Sequence, residues 1–326
     1  MSANGLLVRI FAALLVGPFA LHAPAAHAVD TVIVGAVGSS SANAWPVHIG
    51  VQKGFFAKAG INVDFVFAQS NAAVVQQLAA GSTNIATNAG LVDPIRAIDK
   101  GAPIAIVRIE IQAPPYALLA KPAIKAMTDL KGKTVMVGGA KDITRIFVDR
   151  MLQTAGLKSD EFDLVYAGAT NARFSALQSG AVDAAILTAP FNFYAESAGF
   201  SNLGFTFDYV KDMPFAGMAV NRTWAAANPG LAKRFVDVFV ESITWFEDAT
   251  NRDEAVKMMI DISKLKKEDV ERAYDFLREK KLFEPTGKVS RAKLQSVVDA
   301  LRELGDVQGQ LAIDRLILPG VTALSD

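Results

Sequence analysis

TVIVG at residues 31–35 returns as TVMVG at residues 134–138. Each is a short apolar, β-branched run closed by glycine, the pattern of a buried strand that ends in a turn. The likeness extends outward from both copies. VDFVFAQ at 63–69 matches FDLVYAG at 162–168, and a polar helix start follows each, Ser70-Asn71 and Thr170-Asn171. The helical stretches carry Leu78 and Leu177 near their ends, glycines follow (Gly81, Gly180), and further strands are expected over 83–87 and 183–187. The offset is 103 residues at the first strand and 99 or 100 at the later features, a drift that one difference in loop length explains. The chain therefore contains two β-α-β-α-β units. Parallel strands joined by right-handed helical crossovers build an α/β sheet with helices on both faces. Two such lobes, each with a mostly parallel sheet, leave a hinged cleft between them.

The flanking sequence suggests where the chain passes between lobes. Apolar runs at 104–109 and 116–120 are separated by Ala113-Pro114-Pro115, which reads as a crossing. A second crossing is expected near Asp212-Met213-Pro214, before the apolar run from Gly217 to Val220. The expected organisation is a signal peptide at 1–28, the first part of lobe 1 at 29–112, lobe 2 at 113–213, and a return to lobe 1 at 214–326. That return ends in helices. Asn228-Pro229 opens one whose stripe is Leu231, Phe235, Val238, Phe239, Ile243 and Phe246, expected to pack in the core.

Arg9 is the only charge ahead of an apolar core from Ile10 to Leu21, and Ala26-His27-Ala28 supplies a small-x-small cleavage pattern. The expectation is export to the periplasm. No cysteine is present for a lipid anchor, so the mature protein is expected to be free. With 33 basic and 33 acidic residues the chain lacks the basic excess that nucleic acid demands. Beyond residue 28 the only histidine is His48, and there is no cysteine. Thiol nucleophiles and zinc sites of the usual His and Cys types are excluded. Neither cofactor nor metal is expected, the protein is not expected to be an enzyme, and a monomer is the expected state.

Several stretches resemble the periplasmic nitrate/sulfonate/taurine-type binding proteins of ABC importers and the related pyrimidine-precursor binders. They are Trp45-Pro46-Val47-His48 through Lys53-Gly54-Phe55-Phe56, Ala59-Gly60-Ile61-Asn62-Val63, Leu78-Ala79-Ala80-Gly81, Asp129-Leu130-Lys131-Gly132-Lys133-Thr134-Val135, and Leu177 through Ala184. Asn84 stands where the first copy usually has aspartate. The resemblance spans nearly the whole chain after residue 28. It implies the type II periplasmic binding fold, a small-molecule ligand and a permease partner in the inner membrane. A fungal pyrimidine synthase shares the outline but depends on a cysteine-rich motif that this chain lacks.

In open parallel sheets ligands bind beyond the carboxyl ends of the strands. The loops there hold Ser39 and Ser40; Gln69, Ser70 and Asn71; and Asn88 in the first unit. In the second they hold Gly139, Thr144 and Arg145; Thr170 and Asn171; and Thr188 and Phe191, with Trp45 beside the first group. Most are helix starts, whose free N–H groups and dipole favour an anion, although each hydroxyl or amide also serves as an ordinary N-cap. Arg145, early in its helix, is the expected grip on a sulfonate or carboxylate; a pair with Asp149 or Asp142 is its competing role. Arg173, Arg108, His48 and Phe215 are lesser candidates. The expected ligand is a small organic anion, with a neutral or cationic heterocycle as the alternative (Asp142, Asp93 or Glu110 then facing it), and an enzyme on the same scaffold behind both.

Overall fold

The computed structural model describes residues 29–210 and 212–326. The expected signal peptide, 1–28, lies outside the described residues. In chain order the strands are β1 (Asp30–Val37), β2 (Ile61–Ala68), β3 (Ile85–Gly90), β4 (Ile104–Ile111), β5 (Tyr116–Ala120), β6 (Thr134–Val137), β7 (Asp163–Tyr166), β8 (Ala184–Thr188), β9 (Ser201–Phe205), β10 (Ala216–Asn221), β11 (Lys288–Val289) and β12 (Ala323–Leu324).

Ten of them form two five-stranded sheets, ordered β2-β1-β3-β10-β4 and β7-β6-β8-β5-β9, and β11 pairs with β12. In the first sheet β1 runs parallel to β2 and β3, while β10 is antiparallel to β3 and β4. The second repeats this, with β6 parallel to β7 and β8, and β5 antiparallel to β8 and β9. Four strands of each sheet therefore share one direction, and the fifth is the one that has just passed between sheets. Both sheets are flanked by helices, and the fold class is α/β as the repeat implies.

The repeat survives at the level of single bonds. The N–H groups of Gly81 and Gly180 both donate to the carbonyls of Leu78 and Leu177 at 3.1 Å, with φ of 75° and 77°. That left-handed conformation favours glycine after a helix. Next, Asn84 Oδ1 accepts from Ile33 N–H at 2.9 Å, and Asp183 Oδ2 accepts from Thr134 N–H at 3.0 Å. The Asn84 departure keeps the acceptor and loses only the charge. These side chains join the third strand of each unit to the first, a structural task.

The apolar stripe of Pro229–Glu247 is buried as expected, with Phe235, Phe239, Ile243 and Phe246 fully enclosed. The helix Trp45–Gln52 packs on it, its Trp45 ring 6.3 Å from Phe246. One boundary differs from expectation. The third strand starts at Ile85 rather than residue 83 and runs on through Asn88-Ala89-Gly90, the segment expected to be a loop. The strand bends there because Asn88 has φ of 52° and β10 shifts register opposite it.

Candidate functional site

The carboxyl ends of the parallel strands in both sheets face one another across a cavity of about 30 Å³. Val37, Gly38, Ser40, Ser41 and Asn43 border it after β1, Asn71 after β2 and Asn88 within β3. From the other side come Asp142 and Thr144 after β6, Gly168 to Asn171 and Arg173 after β7, and Thr188 at the end of β8. Tyr116 and Phe215, at the starts of the two crossing strands, complete it, their rings edge to face at 5.0 Å. That space holds about one or two waters, because the sheets' loops already touch. Ala42 N–H donates to the Ala189 carbonyl at 2.9 Å, Asn71 Nδ2 donates to Asp142 Oδ2 at 2.9 Å, and Thr188 Oγ1 lies 3.3 Å from Asn43 Oδ1.

Seven of the fourteen expected residues meet at this cavity: Ser40, Asn71, Asn88, Thr144, Thr170, Asn171 and Thr188. Seven do not border it. Trp45 is 0 % exposed and belongs to the core against Phe246. Phe191 packs inside the second lobe, 5.9 Å from Phe174. Ser39 is exposed. Gln69 is exposed, and its main chain approaches Gly168. Ser70 caps its helix by accepting from Ala73 N–H at 3.3 Å. Gly139 accepts from Asp142 N–H in the turn before the helix. Arg145, with a side chain 42 % exposed, donates to the Ala140 carbonyl and lies 3.4 Å from Asp149. The i+4 pair is its role here, in an adjacent depression with Lys141 and Asp306.

The cation at the cavity is Arg173 instead. It is 2 % exposed; Nε donates to the Ile186 carbonyl at 2.7 Å, and Nη1 to the carbonyls of Ala167 and Gly168 at 2.9 and 2.6 Å. Its guanidinium carbon lies 5.9 Å from the centre of the Tyr116 ring. Among the described residues it forms no ion pair with a carboxylate. Burial depresses its pKa, opposed by the fields of Tyr116 and Asp142, and an arginine keeps its charge through such shifts. Arg173 stands fourth in its helix, one position deeper than Arg145 in its own, still near the end where a cation meets the positive side of the dipole.

Asp142 also borders the cavity, but its oxygens are occupied. Oδ1 accepts from Thr144 N–H at 2.9 Å and from its Oγ1 at 2.6 Å, while Oδ2 accepts from Asn71. Beneath β3, the fully buried Glu110 accepts from Thr87 Oγ1 at 2.7 Å and from Asn88 N–H. Burial pushes its pKa up to about 7. Glu110 sits under the site rather than in it. His48 stacks near Phe65 at 5.1 Å, away from the cavity, and burial lowers its pKa to about 4. No group of three or more metal-ligating side chains occurs among the described residues.

Solved structures share this architecture. The alkanesulfonate-binding protein SsuA from Xanthomonas axonopodis pv. citri, bound to MOPS, superimposes with a TM-score of 0.72 at 17% identity, over 90% of this chain and 99% of that one. The periplasmic aliphatic sulphonate binding protein SsuA from Escherichia coli gives 0.70 at 19%, over 90% and 98%. The periplasmic nitrate-binding protein NrtA from Synechocystis PCC 6803 gives 0.64 at 18%, over 75% and 70%. At such identities the likeness concerns the fold. No curated protein sequence matches the chain. The "NMT1/THI5 like" family model matches residues 41–249, a span that runs from the first cavity loop to the end of the long helix, and the chain belongs to the NMT1/THI5-like family.

Proposed function

We propose that this protein is the periplasmic substrate-binding component of an ABC importer, exported by residues 1–28, and that it captures a small organic anion by closing two lobes on it. The lobes are residues 29–112 with 214–326, and residues 113–213. One observation carries the ligand class: Arg173 brings a buried guanidinium without an acidic partner to the cavity between the sheets. The first turns of Ile143–Thr154 and Thr170–Gln178 lie at the same cavity, adding N–H groups of the same polarity. The cavity's size supports closure about the two crossings, since a ligand larger than a few atoms enters only when the loops part. An inner-membrane permease is then the partner, and the protein acts alone as a monomer.

A neutral or cationic heterocycle is the second reading, favoured by Asp142 at the same cavity. A thermal-shift panel of sulfonates, carboxylates, nitrate and pyrimidines on residues 29–326 separates them. A ligand at about 100 times its Kd adds about 2.7 kcal/mol of stability. Arg173→Lys keeps a charge but cannot hold three carbonyls and a ligand with one fork. It is expected to weaken anion binding by about 1.5–3 kcal/mol. Stabilisation by pyrimidines alone refutes the anion, as does an anion shift that Arg173→Lys leaves intact. Conversion of any ligand on incubation refutes the receptor role.

A further inference from the structure

Asn88 stands apart from the other polar side chains buried at the cavity. Asp142, Asn71, Thr188, Thr170 and Arg173 all spend their side chains on protein partners. The carboxamide of Asn88 makes no hydrogen bond to a described residue, and its Oδ1 is fully enclosed without a partner although the residue is only 5 % exposed. Buried polar groups are nearly always paired, so such an orphan calls for an explanation.

The backbone around it is held in place. Asn88 has φ of 52°, a left-handed conformation that asparagine tolerates better than most residues. Its N–H donates to Glu110, which Thr87 also holds. Asn88 thus borders the cavity with its carboxamide unspent on the described residues. Glycine would satisfy the backbone equally well, so the backbone alone does not explain the side chain.

We infer that Asn88 is a specificity-determining residue, and that the ligand carries, besides its anionic group, an O–H or N–H donor that Asn88 Oδ1 accepts. This deepens the anion reading and rests on it. The neighbouring Asp142 carboxylate suits the same assignment, because it repels a second anionic end and tolerates a hydrogen-bearing one.

The test is isothermal titration of residues 29–326 with two matched pairs: ethanesulfonate against 2-hydroxyethanesulfonate, and propanoate against 3-hydroxypropanoate. The hydroxylated member of at least one pair is expected to bind about tenfold tighter or more, and Asn88→Gly, which keeps the backbone conformation, to bring the two within about twofold. Asn88→Asp, which keeps an acceptor and adds charge, is expected to weaken both members while retaining the preference. Equal affinities in the unaltered protein overturn the inference, as does a preference that survives Asn88→Gly. Either result leaves anion binding standing. Failure of all four probes to bind overturns the inference together with the anion reading beneath it.

Discussion

Gly168 packs against the main chain of Gln69 and Ser70 across the cleft, and adding one carbon there tests closure. A Cβ at this position would lie 2.0 Å from the Gln69 carbonyl oxygen, 2.9 Å from Ser70 Cα and 3.0 Å from Gln69 C. All three belong to the main chain of the other lobe, so no side chain can swing aside. Its φ is not in the left-handed region, so alanine fits the second lobe on its own. Gly168→Ala should therefore fold and yet hold the loops apart by about 1.4 Å, the shortfall from ordinary contact at 3.4 Å. Such a gap breaks three bonds between the lobes: Ala42 N–H to Ala189, Asn71 to Asp142, and Thr188 to Asn43. At about 1 kcal/mol each the loss is about 3 kcal/mol, or about 150-fold in affinity. Titration with a ligand from the panel reads the affinity, and small-angle scattering with and without that ligand reads the compaction. Unchanged affinity and unchanged compaction in Gly168→Ala would refute the claim that binding requires this lobe arrangement.

Three further expectations follow from the same geometry. Trp45→Ala should destabilise the fold by about 3–5 kcal/mol in urea, because a fully buried ring leaves a cavity against Phe246; a small loss with abolished binding would return Trp45 to the ligand. Arg145→Ala removes a half-exposed i,i+4 pair and a bond to the Ala140 carbonyl, so stability should fall by no more than about 1 kcal/mol with ligand affinity unchanged, and a marked affinity loss would contradict its placement. For His48, burial lowers the folded pKa to about 4 from 6.5, so the unfolded chain takes up the proton first. Its contribution is full above pH 6.5 and fades as pH falls toward 4, by about 3 kcal/mol at most. Asp93 and Glu110, both pushed up to about 7 by burial, act in the opposite sense, their contribution lost as pH rises through that value. The comparison is therefore between the unaltered protein and His48→Gln at pH 7.5 and 4.5. An acid-induced loss of equal size in both assigns it to another group.

The repeated strands were legible because their apolar runs recur at an offset of 99 to 103 residues, and β1, β2, β3, β6, β7 and β8 begin within two residues of their expected places. The continuation of β3 through Asn88-Ala89-Gly90 was not, because the bend at Asn88 depends on Glu110 and on β10, both distant in sequence. At the site, the loops were legible and the inward-facing side chains only in half. Trp45, Pro46, Val47 and Ile49 are all buried, so the apolar run alone does not show which residue turns toward the cleft. Arg145 and Arg173 occupy similar first-turn positions. What separates them is the convergence of the Ala167, Gly168 and Ile186 carbonyls on the second, set by the packing of β7 against its neighbours rather than by local sequence.

The placement of β10 has a bearing on how the polypeptide acquires its shape. β3 and β4 never meet directly; β10 lies between them, and residues 112–215, with the entire second sheet among them, separate it from β4. The second sheet draws all its strands from one uninterrupted stretch, 116–205, so it can assemble as soon as that stretch is available. The first sheet stays split into a three-stranded piece and a stray β4 until the later segment threads in. Closing so long a loop while it is still flexible costs about 4 kcal/mol, a cost that prior assembly of the second sheet lowers, and pairings of such range form slowly. This topology predicts that the second sheet forms first and that the lobe containing the earliest strand is the last to be finished.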